Sequence, residues 1–249
     1  MYLVTGGAGF IGSNIVAALS DLGKPVAVCD WMGNDERWRN LASHEIAALV
    51  APDRLFDWLA KQRGKLRAIL HMGAISATTE TNVDLIAENN IRLTLDLLQC
   101  CTYHKTPFIY ASSAATYGYG SAGFDDEFTS EALARLRPLN AYGWSKHVID
   151  RRIARLHFNQ QPLPPQWAGL KFFNVYGPNE YHKGNMKSVI AQNFSRIRSG
   201  EPLRLFKSYR ADYPDGGQRR DFVYVKDCVD VMLWLLKNPV SGLFNLGTG

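Results

Sequence analysis

The stretch GGAGFIG, at residues 6–12, follows the short apolar run Tyr2–Thr5 and precedes a run with helical periodicity. Its three spaced glycines each serve a purpose in a strand–turn–helix unit. Gly6 permits a tight turn, Gly9 lets a pyrophosphate approach the backbone, and Gly12 allows the helix to pack closely on the strand. The stretch therefore predicts a dinucleotide-binding α/β fold.

The acidic residue Asp30 ends the next apolar run, at residues 26–30. A carboxylate there can accept hydrogen bonds from the adenosine ribose of a dinucleotide, and it favours the form without a 2′-phosphate. Arg37 and Arg39 follow closely, and a guanidinium can pair with a 2′-phosphate through two hydrogen bonds. These residues leave NADP and NAD both open as cofactors, and we expect NADP, with Arg37 as the phosphate ligand.

Short apolar runs alternate with helical patterns along the rest of the chain. Further strands are predicted at residues 67–71 and 108–112, with a helix over residues 89–103 between them. Because crossover connections of this kind join parallel neighbours, we expect a doubly wound parallel Rossmann sheet with helices on both faces. A helix is also predicted over residues 186–199, and residues 244–249 resemble a strand that runs into a glycine turn.

Two domains are expected. Residues 1–170 are predicted to form the dinucleotide-binding domain, to which residues 220–249 return. Residues 171–219 are predicted to form part of a smaller substrate-binding domain. Because the final strand runs into a glycine turn with nothing after it, we expect the remainder of that domain to be missing after residue 249.

Composition restricts the class of protein. The 249 residues are 46% hydrophobic and 20% charged, which excludes a disordered, fibrous or disulfide-scaffold protein. A net charge of +5 suits anionic ligands such as phosphates, whereas the lack of a basic run argues against nucleic acid as a partner. The four cysteines contain no CxxC pair, and the chain has no leader-like or membrane-spanning apolar run. We therefore expect a cytoplasmic protein with no membrane partner, and histidine spacing predicts no metal site.

The pair Tyr142 and Lys146 has the YxxxK spacing, which places the phenol and the ammonium on one face of a helix. A positive charge beside a phenol lowers the phenol pKa, so Tyr142 can exchange a proton with a substrate hydroxyl. Ser113 follows the preceding strand and can hydrogen-bond the same reacting oxygen. We expect Ser113, Tyr142 and Lys146 to act together in catalysis, with Ser113 also contacting substrate.

These motifs occur in the order typical of the extended short-chain dehydrogenase/reductases, the NAD-dependent epimerase/dehydratase family, and the chain resembles that family along essentially its whole length. The stretches that carry the resemblance are VTGGAGFIGSN at 4–14, YASSAATYG at 110–118, FNVYGP at 173–178, HKG at 182–184, RDFVYV at 220–225 and FNLGTG at 244–249. The resemblance implies a homo-oligomeric nucleotide-sugar epimerase with a tightly bound nicotinamide cofactor. It implies inversion at C6 of an ADP-linked heptose through a transient ketone.

The resemblance also implies roles for single residues. Tyr142 would deprotonate a secondary hydroxyl, and Lys183 would serve as the second acid or base on the opposite face of the ketone. Implied cofactor contacts are Phe10, Ile11, Asp30, Trp31, Arg37, Met72, Gly73, Ala74, Ile75, Ser76, Asn89, Lys146, Val175 and Lys183, in addition to Tyr142. Implied substrate contacts are Asn174, Asn185, Gln192, Phe206 and Arg220, the last because its planar fork suits a diphosphate.

The chain departs from the family pattern at three places, and the last two, in the substrate region, leave the sugar open. Lys171 stands where many members have Arg, Gln192 replaces a His, and the segment 207–220 is longer than expected. One alternative is another nucleotide-sugar epimerase or a dehydratase, although Ala114 follows Ser113 where a dehydratase is expected to have an acid. A second alternative is a non-catalytic dinucleotide sensor, although such a protein would tend to lose the YxxxK pair or the serine.

Overall fold

A computed structural model of the chain describes residues 1–62, 64–203, 207–209, 211 and 214–249, and at residue 185 the backbone alone. Its strands are β1 (Tyr2–Thr5), β2 (Val26–Cys29), β3 (Ala48–Val50), β4 (Ala68–His71), β5 (Phe108–Ser113), β6 (Trp167–Phe172), β7 (Asn174–Tyr176), β8 (Phe222–Tyr224) and β9 (Gly242–Leu246). Seven strands form one parallel sheet in the order β3-β2-β1-β4-β5-β6-β9, and β7 pairs with β8 in a second, small parallel sheet. The predicted doubly wound parallel sheet is confirmed.

The α-helices in this part of the chain are α1 (Phe10–Asp21), α2 (Leu55–Gln62), α3 (Val83–Ile86), α4 (Leu93–His104), α5 (Ser130–Arg135), α6 (Ala141–Phe158), α7 (Val189–Arg198) and α8 (Val225–Lys237). A π-helical segment, Ala87–Arg92, joins α3 to α4. The helical stretch that contains the predicted helix 89–103 therefore begins earlier than expected, at Val83. The helix predicted from Met186 begins later, at Val189, because Ser188 caps it by accepting a hydrogen bond from the Ala191 N–H at 3.1 Å.

Two apolar cores lie on the two faces of the main sheet. Successive residues of β1 point to opposite faces, so Leu3 packs in one core and Val4 in the other. The first core contains Ile149 of α6, and the second contains Ile15 of α1 together with Met232 of α8. The helices that carry the predicted functional motifs therefore cover different faces of the same sheet.

The carboxyl ends of β1, β4 and β5 meet at one edge of the sheet. The chain runs outward from β1 in one direction through β2 and in the other through β4, so the crossovers change side between β1 and β4. Open α/β sheets bind ligands at such a switch point, just beyond the strand ends. None of the helices among the described residues is long and apolar enough to span a membrane.

Candidate active site

A cleft of about 820 Å³ opens at this edge of the sheet. It brings together residues from the glycine-rich turn, the ends of β2, β4 and β5, helix α6 and the segments around β7 and β8. The predicted residues that line it are Gly6, Gly9, Phe10, Ile11, Gly12, Asp30, Arg37, Met72, Gly73, Ala74, Ser76, Ser113, Tyr142, Lys146, Asn174, Val175, Lys183, Gln192 and Arg220. Residues far apart in the sequence thus share one concave site.

Several predicted residues lie elsewhere. Trp31, Ile75 and Asn89 are not among the described residues that line the cleft, and Asn89 donates its side-chain N–H to the Leu85 carbonyl at 2.8 Å. Phe206 lies outside the described residues, and of Asn185 only the backbone, in the turn Tyr181–Met186, is described.

The neighbouring residue, Asn90, holds the loop after β4 and was not predicted as a site residue. Its side chain is fully buried, accepts the Ile75 N–H at 2.8 Å and donates to the Ile75 carbonyl at 2.9 Å. It also donates to Ser145 Oγ at 3.1 Å, which ties the loop to α6. A buried asparagine on an apolar helix stripe was the available signal.

The glycine-rich turn forms a backbone cradle. Gly6 has a φ of +65°, and a Cβ on it would lie 2.6 Å from the backbone of Gly73. A Cβ on Gly12 would lie 2.1 Å from the Gly6 carbonyl oxygen, so α1 could not pack this closely with any other residue. Helix α1 starts after Gly9 with no side-chain cap. Its open N-terminal N–H groups suit the pyrophosphate of a dinucleotide.

Asp30 and Arg37 flank the end of the cleft nearest β2. Asp30 Oδ2 accepts the Ala8 N–H at 2.9 Å, which orients the carboxylate, and burial raises the pKa of Asp30. Arg37 is held by Asp35: its Nη2 lies 2.6 Å from Oδ2 and its Nε lies 2.9 Å from Oδ1. The hydrogen bonds from Arg37 lower the pKa of Asp35 to about 2. Arg37 therefore presents an oriented cation at the cleft.

Ser113, Tyr142 and Lys146 lie together at the end of β5. The Asn140 side chain caps α6 by accepting the Gly143 N–H at 2.8 Å, which places the YxxxK pair in the first two helical turns. Ser113 and Tyr142 line the cleft together, and Lys146 Nζ lies 5.9 Å from the centre of the Tyr142 ring. The three predicted catalytic side chains share one corner of the cleft.

The expected lowering of the Tyr142 pKa by a neighbouring charge is wrong for the free protein. Burial raises the pKa of Tyr142, and the hydrogen bond from Ser113 only partly opposes this effect. Lys146 is itself buried, and burial lowers the pKa of its ammonium to about 8 while Asp150 acts in the opposite direction.

A buried ionic network lies beneath this corner and was not predicted. Asp150, two turns after Tyr142 on α6, accepts hydrogen bonds from Ser112 Oγ at 2.6 Å and from the Tyr110 hydroxyl at 3.0 Å. Lys171 Nζ lies 3.7 Å from Asp150 Oδ2. Because Ser112 precedes Ser113 on β5, the network joins α6, β5 and β6 directly below the candidate catalytic side chains. The signal in the sequence was an acid at i, i+4, i+8 spacing with Tyr142 and Lys146.

Lys183 enters the same cleft from another direction. It lies in the 3₁₀ turn Tyr181–Met186, and its Nζ is 5.1 Å from the centre of the Phe10 ring at the start of α1. Burial lowers the pKa of Lys183, and Glu180 opposes that shift. Lys183 and Tyr142 thus line one cleft beside two helices, α1 and α6, that cover opposite faces of the sheet.

The predicted substrate residues lie near β7 and β8. The Asn174 side chain donates to the Asp221 carbonyl at 2.9 Å, and Arg220 Nη1 donates to the Arg219 carbonyl at 2.8 Å while its side chain remains exposed. Gln192, on α7, donates to the Lys187 carbonyl at 2.7 Å. Among the described residues no group of three His, Cys, Asp or Glu side chains is placed to hold a metal ion.

The sequence and the fold are similar to those of proteins named as nucleotide-sugar enzymes. The ADP-L-glycero-D-manno-heptose-6-epimerase of Nitratidesulfovibrio vulgaris is 49% identical over 255 residues, which span 100% of this chain and 76% of that protein. The crystal structure of the Helicobacter pylori ADP-L-glycero-D-manno-heptose-6-epimerase is 30% identical with a TM-score of 0.77, over 99% of this chain and 76% of that one.

A second solved structure shares the fold with a different activity. The UDP-N-acetylglucosamine 4-epimerase of Methanobrevibacter ruminantium M1, in complex with UDP-N-acetylmuramic acid, is 27% identical with a TM-score of 0.78, over 100% of this chain and 76% of that one. The profile of one family matches residues 2–247, almost the full length described here. With its glycine cradle, its Ser–Tyr–Lys corner and this match, the chain belongs to the NAD dependent epimerase/dehydratase family.

Proposed function

We propose that the protein converts ADP-D-glycero-D-manno-heptose to the L-glycero form by inverting C6 of the heptose. The observation that carries this proposal is that two groups able to transfer a proton line one cleft, Tyr142 on α6 and Lys183 beside the start of α1. Relatives named for this activity, at 49% and 30% identity over nearly the whole chain, support heptose as the sugar.

The family depends on a nicotinamide cofactor, and the cradle made by the glycine-rich turn fits its pyrophosphate. When bound, the nicotinamide takes up hydride and gives it back, so the sugar carbon is oxidised to a ketone and reduced again without net redox change. Asp30 would hold the adenosine ribose, and Lys146 the nicotinamide ribose. We propose NADP as the cofactor, because Arg37 is oriented at the ribose end of the cleft.

The first proton transfer falls to the corner formed by Ser113, Tyr142 and Lys146. Ser113 and Tyr142 line the same cleft, so both can contact one substrate oxygen. Tyr142 acts in its ionised form: its phenolate accepts the hydroxyl proton as that carbon is oxidised, which returns it to the phenol. Lys146 is buried with a pKa of about 8, and its charge stabilises the phenolate that Tyr142 passes through.

Inversion needs a proton donor on the other side of the ketone. After the ketone turns within the cleft, its oxygen faces away from Tyr142, and a different acid must protonate the alkoxide. Lys183 is that acid, since its ammonium lies beside Phe10 at the start of α1. Burial lowers the pKa of the Lys183 ammonium, which makes it a better proton donor than an exposed lysine.

Substrate is held at the end of the cleft formed by β7, β8 and α7. Arg220 is exposed at the cleft wall, and its fork suits the diphosphate of the nucleotide sugar. Asn174 and Gln192 would contact the sugar from neighbouring walls. We also retain Asn185 and Phe206 as substrate contacts from the family resemblance.

The test is incubation of the purified protein with each ADP-heptose stereoisomer, without added nicotinamide, with the two epimers separated by chromatography. Interconversion in both directions is expected, because a resident cofactor is regenerated in each turnover. UDP-N-acetylglucosamine serves as the competing substrate. Turnover of the UDP-sugar with none of the ADP-heptose would overturn the assignment in favour of a hexose 4-epimerase.

A further inference from the structure

One carboxylate closes the loop that carries Lys183. This loop, residues 177–188, runs from the end of β7 to the start of α7. Glu180 Oε1 accepts the Gly177 N–H at 2.9 Å and the Ser188 hydroxyl at 2.9 Å, and Oε2 accepts the Ser188 N–H at 2.6 Å. The first and last residues of the loop are therefore bound to the same side chain.

Glu180 is in an unusual environment for an acid. Its side chain is only 3% exposed, and an ionised carboxylate is buried at great cost unless it is well hydrogen-bonded. The three donors from the loop ends meet that requirement. Within the loop, the Lys183 N–H donates to the Glu180 carbonyl at 3.0 Å, which places the lysine one turn after the acid.

The loop is also attached to the cofactor cradle. The Tyr181 hydroxyl donates to Asn40 Oδ1 at 2.5 Å, and Asn40 Nδ2 donates to the Ala8 carbonyl at 2.8 Å. Asn40 is 4% exposed and connects Tyr181 to the glycine-rich turn. At the loop start, the Asn14 side chain of α1 donates to the Pro178 carbonyl at 3.1 Å. The closed loop thus has a defined position relative to α1.

We propose that Glu180 is a positioning residue for Lys183, an inference that rests on the proposed two-base reaction. By joining Gly177 to Ser188, its carboxylate makes residues 177–188 a closed loop, which is further bound to α1 through Asn14 and to Asn40 through Tyr181. The ammonium of Lys183 is thereby held where the second proton transfer takes place. Glu180 itself lies outside the set of residues that line the cleft and acts through the loop.

The test separates the two proton-transfer sites. Glu180→Gln keeps the side-chain shape but replaces one acceptor oxygen with an NH₂ group, so the loop ends cannot all be bound. Since a displacement of about 1 Å in a reacting group costs on the order of 10²-fold in rate, epimerisation is expected to fall by about that factor. Reduction of an ADP-linked carbonyl analogue of the sugar by added reduced cofactor needs only Tyr142, and it is expected to stay within about twofold.

Two further variants complete the experiment. Glu180→Asp keeps the negative charge on a shorter arm that cannot span both loop ends, so the same split between the two activities is expected. Glu88→Gln is the control, because Glu88 is an exposed helix carboxylate paired with Arg92 at 3.1 Å, and both activities are expected to be unchanged.

The outcomes distinguish this proposal from the proposed function. Wild-type epimerisation in Glu180→Gln, or an equal loss of both activities, overturns the positioning role, as does the absence of folded protein in both Glu180 variants by circular dichroism. Lys183→Met is measured alongside. If it epimerises at the wild-type rate, the two-base function fails. If it is inactive while Glu180→Gln is active, only the positioning role fails.

Discussion

The ammonium of Lys171 lies 3.7 Å from the carboxylate of Asp150, with their side chains 1% and 0% exposed. Lys171 Nζ also donates to Thr116 Oγ1 at 3.1 Å and lies 4.3 Å from the centre of the Tyr117 ring. Lys171 thus reaches from β6 to an aspartate on α6. The pair joins β6 to α6, the helix that carries Tyr142.

Removing one partner of this pair is expected to destabilise the protein. Lys171→Met leaves the Asp150 carboxylate buried without its cation, which costs on the order of 3–5 kcal/mol in the free energy of unfolding. Urea denaturation followed by circular dichroism measures the change. Removing Arg92, whose ion pair with Glu88 is on the surface, is the control and is expected to cost less than about 1 kcal/mol. Equal stability of Lys171→Met and wild type would contradict a role for the pair.

Acid is expected to destabilise the protein through His71. The ring is 1% exposed between Thr5 Oγ1 at 2.6 Å and Thr94 Oγ1 at 2.9 Å, and burial lowers its pKa from 6.5 to about 3. Between these two pH values, His71 therefore binds a proton in the unfolded chain but not in the folded chain. The stability that neutral His71 contributes is complete above pH 6.5 and is lost as the pH falls toward 3, by up to about 1.4 kcal/mol per unit.

Denaturation curves recorded across this pH range check the effect of His71. His71→Gln removes the titrating ring, so the dependence of stability on pH between about 3 and 6.5 is expected to flatten. His104→Gln, at the end of α4, serves as the control and is expected to keep the wild-type profile. A slope in His71→Gln as steep as in wild type would assign the acid sensitivity to other groups.

Tyr142→Phe is expected to lower turnover by about 10²–10⁴-fold, because the proton acceptor is lost while the ring remains. Cofactor binding, followed by fluorescence titration, is expected to persist. Tyr119→Phe is the matched control, since the Tyr119 side chain is 78% exposed. Substantial activity in Tyr142→Phe would mean that another group accepts the first proton.

Lys183→Met is expected to abolish epimerisation and to preserve the reduction of a carbonyl analogue by added reduced cofactor. The methionine fills similar space but has no proton to deliver on the side of α1, whereas Tyr142 is untouched. Lys226→Met, on the exposed surface of α8, is the control. Loss of both activities in Lys183→Met would indicate that the lysine is required for binding and not as the second acid.

Arg37→Ala is expected to weaken the binding of NADP more than that of NAD, because only NADP has a 2′-phosphate to pair with the guanidinium. Calorimetric titration of both cofactors measures the ratio. Arg39→Ala is the comparison, because Arg39 is exposed, paired with Glu36 at 2.9 Å. Equal weakening of NADP and NAD binding in Arg37→Ala would remove Arg37 from the phosphate site.

Features that depend on neighbouring residues in the chain were predictable. A tight glycine turn between a strand and a helix follows from local steric requirements. The spacing of Tyr142 and Lys146 follows from the helical repeat, which places both on one face, so both features can be recognised without coordinates. The order of apolar runs likewise predicted the parallel sheet. The two-domain division, the homo-oligomeric state and the cytoplasmic location stay predictions.

Features that depend on contacts between distant segments required the tertiary structure. The raised pKa of Tyr142 follows from burial, which no spacing rule measures. Asp150 and Lys171 are 21 positions apart in the numbering and meet only because β5 and β6 are neighbours beneath α6. Glu180 accepts hydrogen bonds from Gly177 and Ser188, the two ends of its loop, which only the folded loop brings together. Local sterics determine the turn and the helix face, whereas desolvation and long-range pairing, which set the charges in the cleft, arise only when the chain is folded.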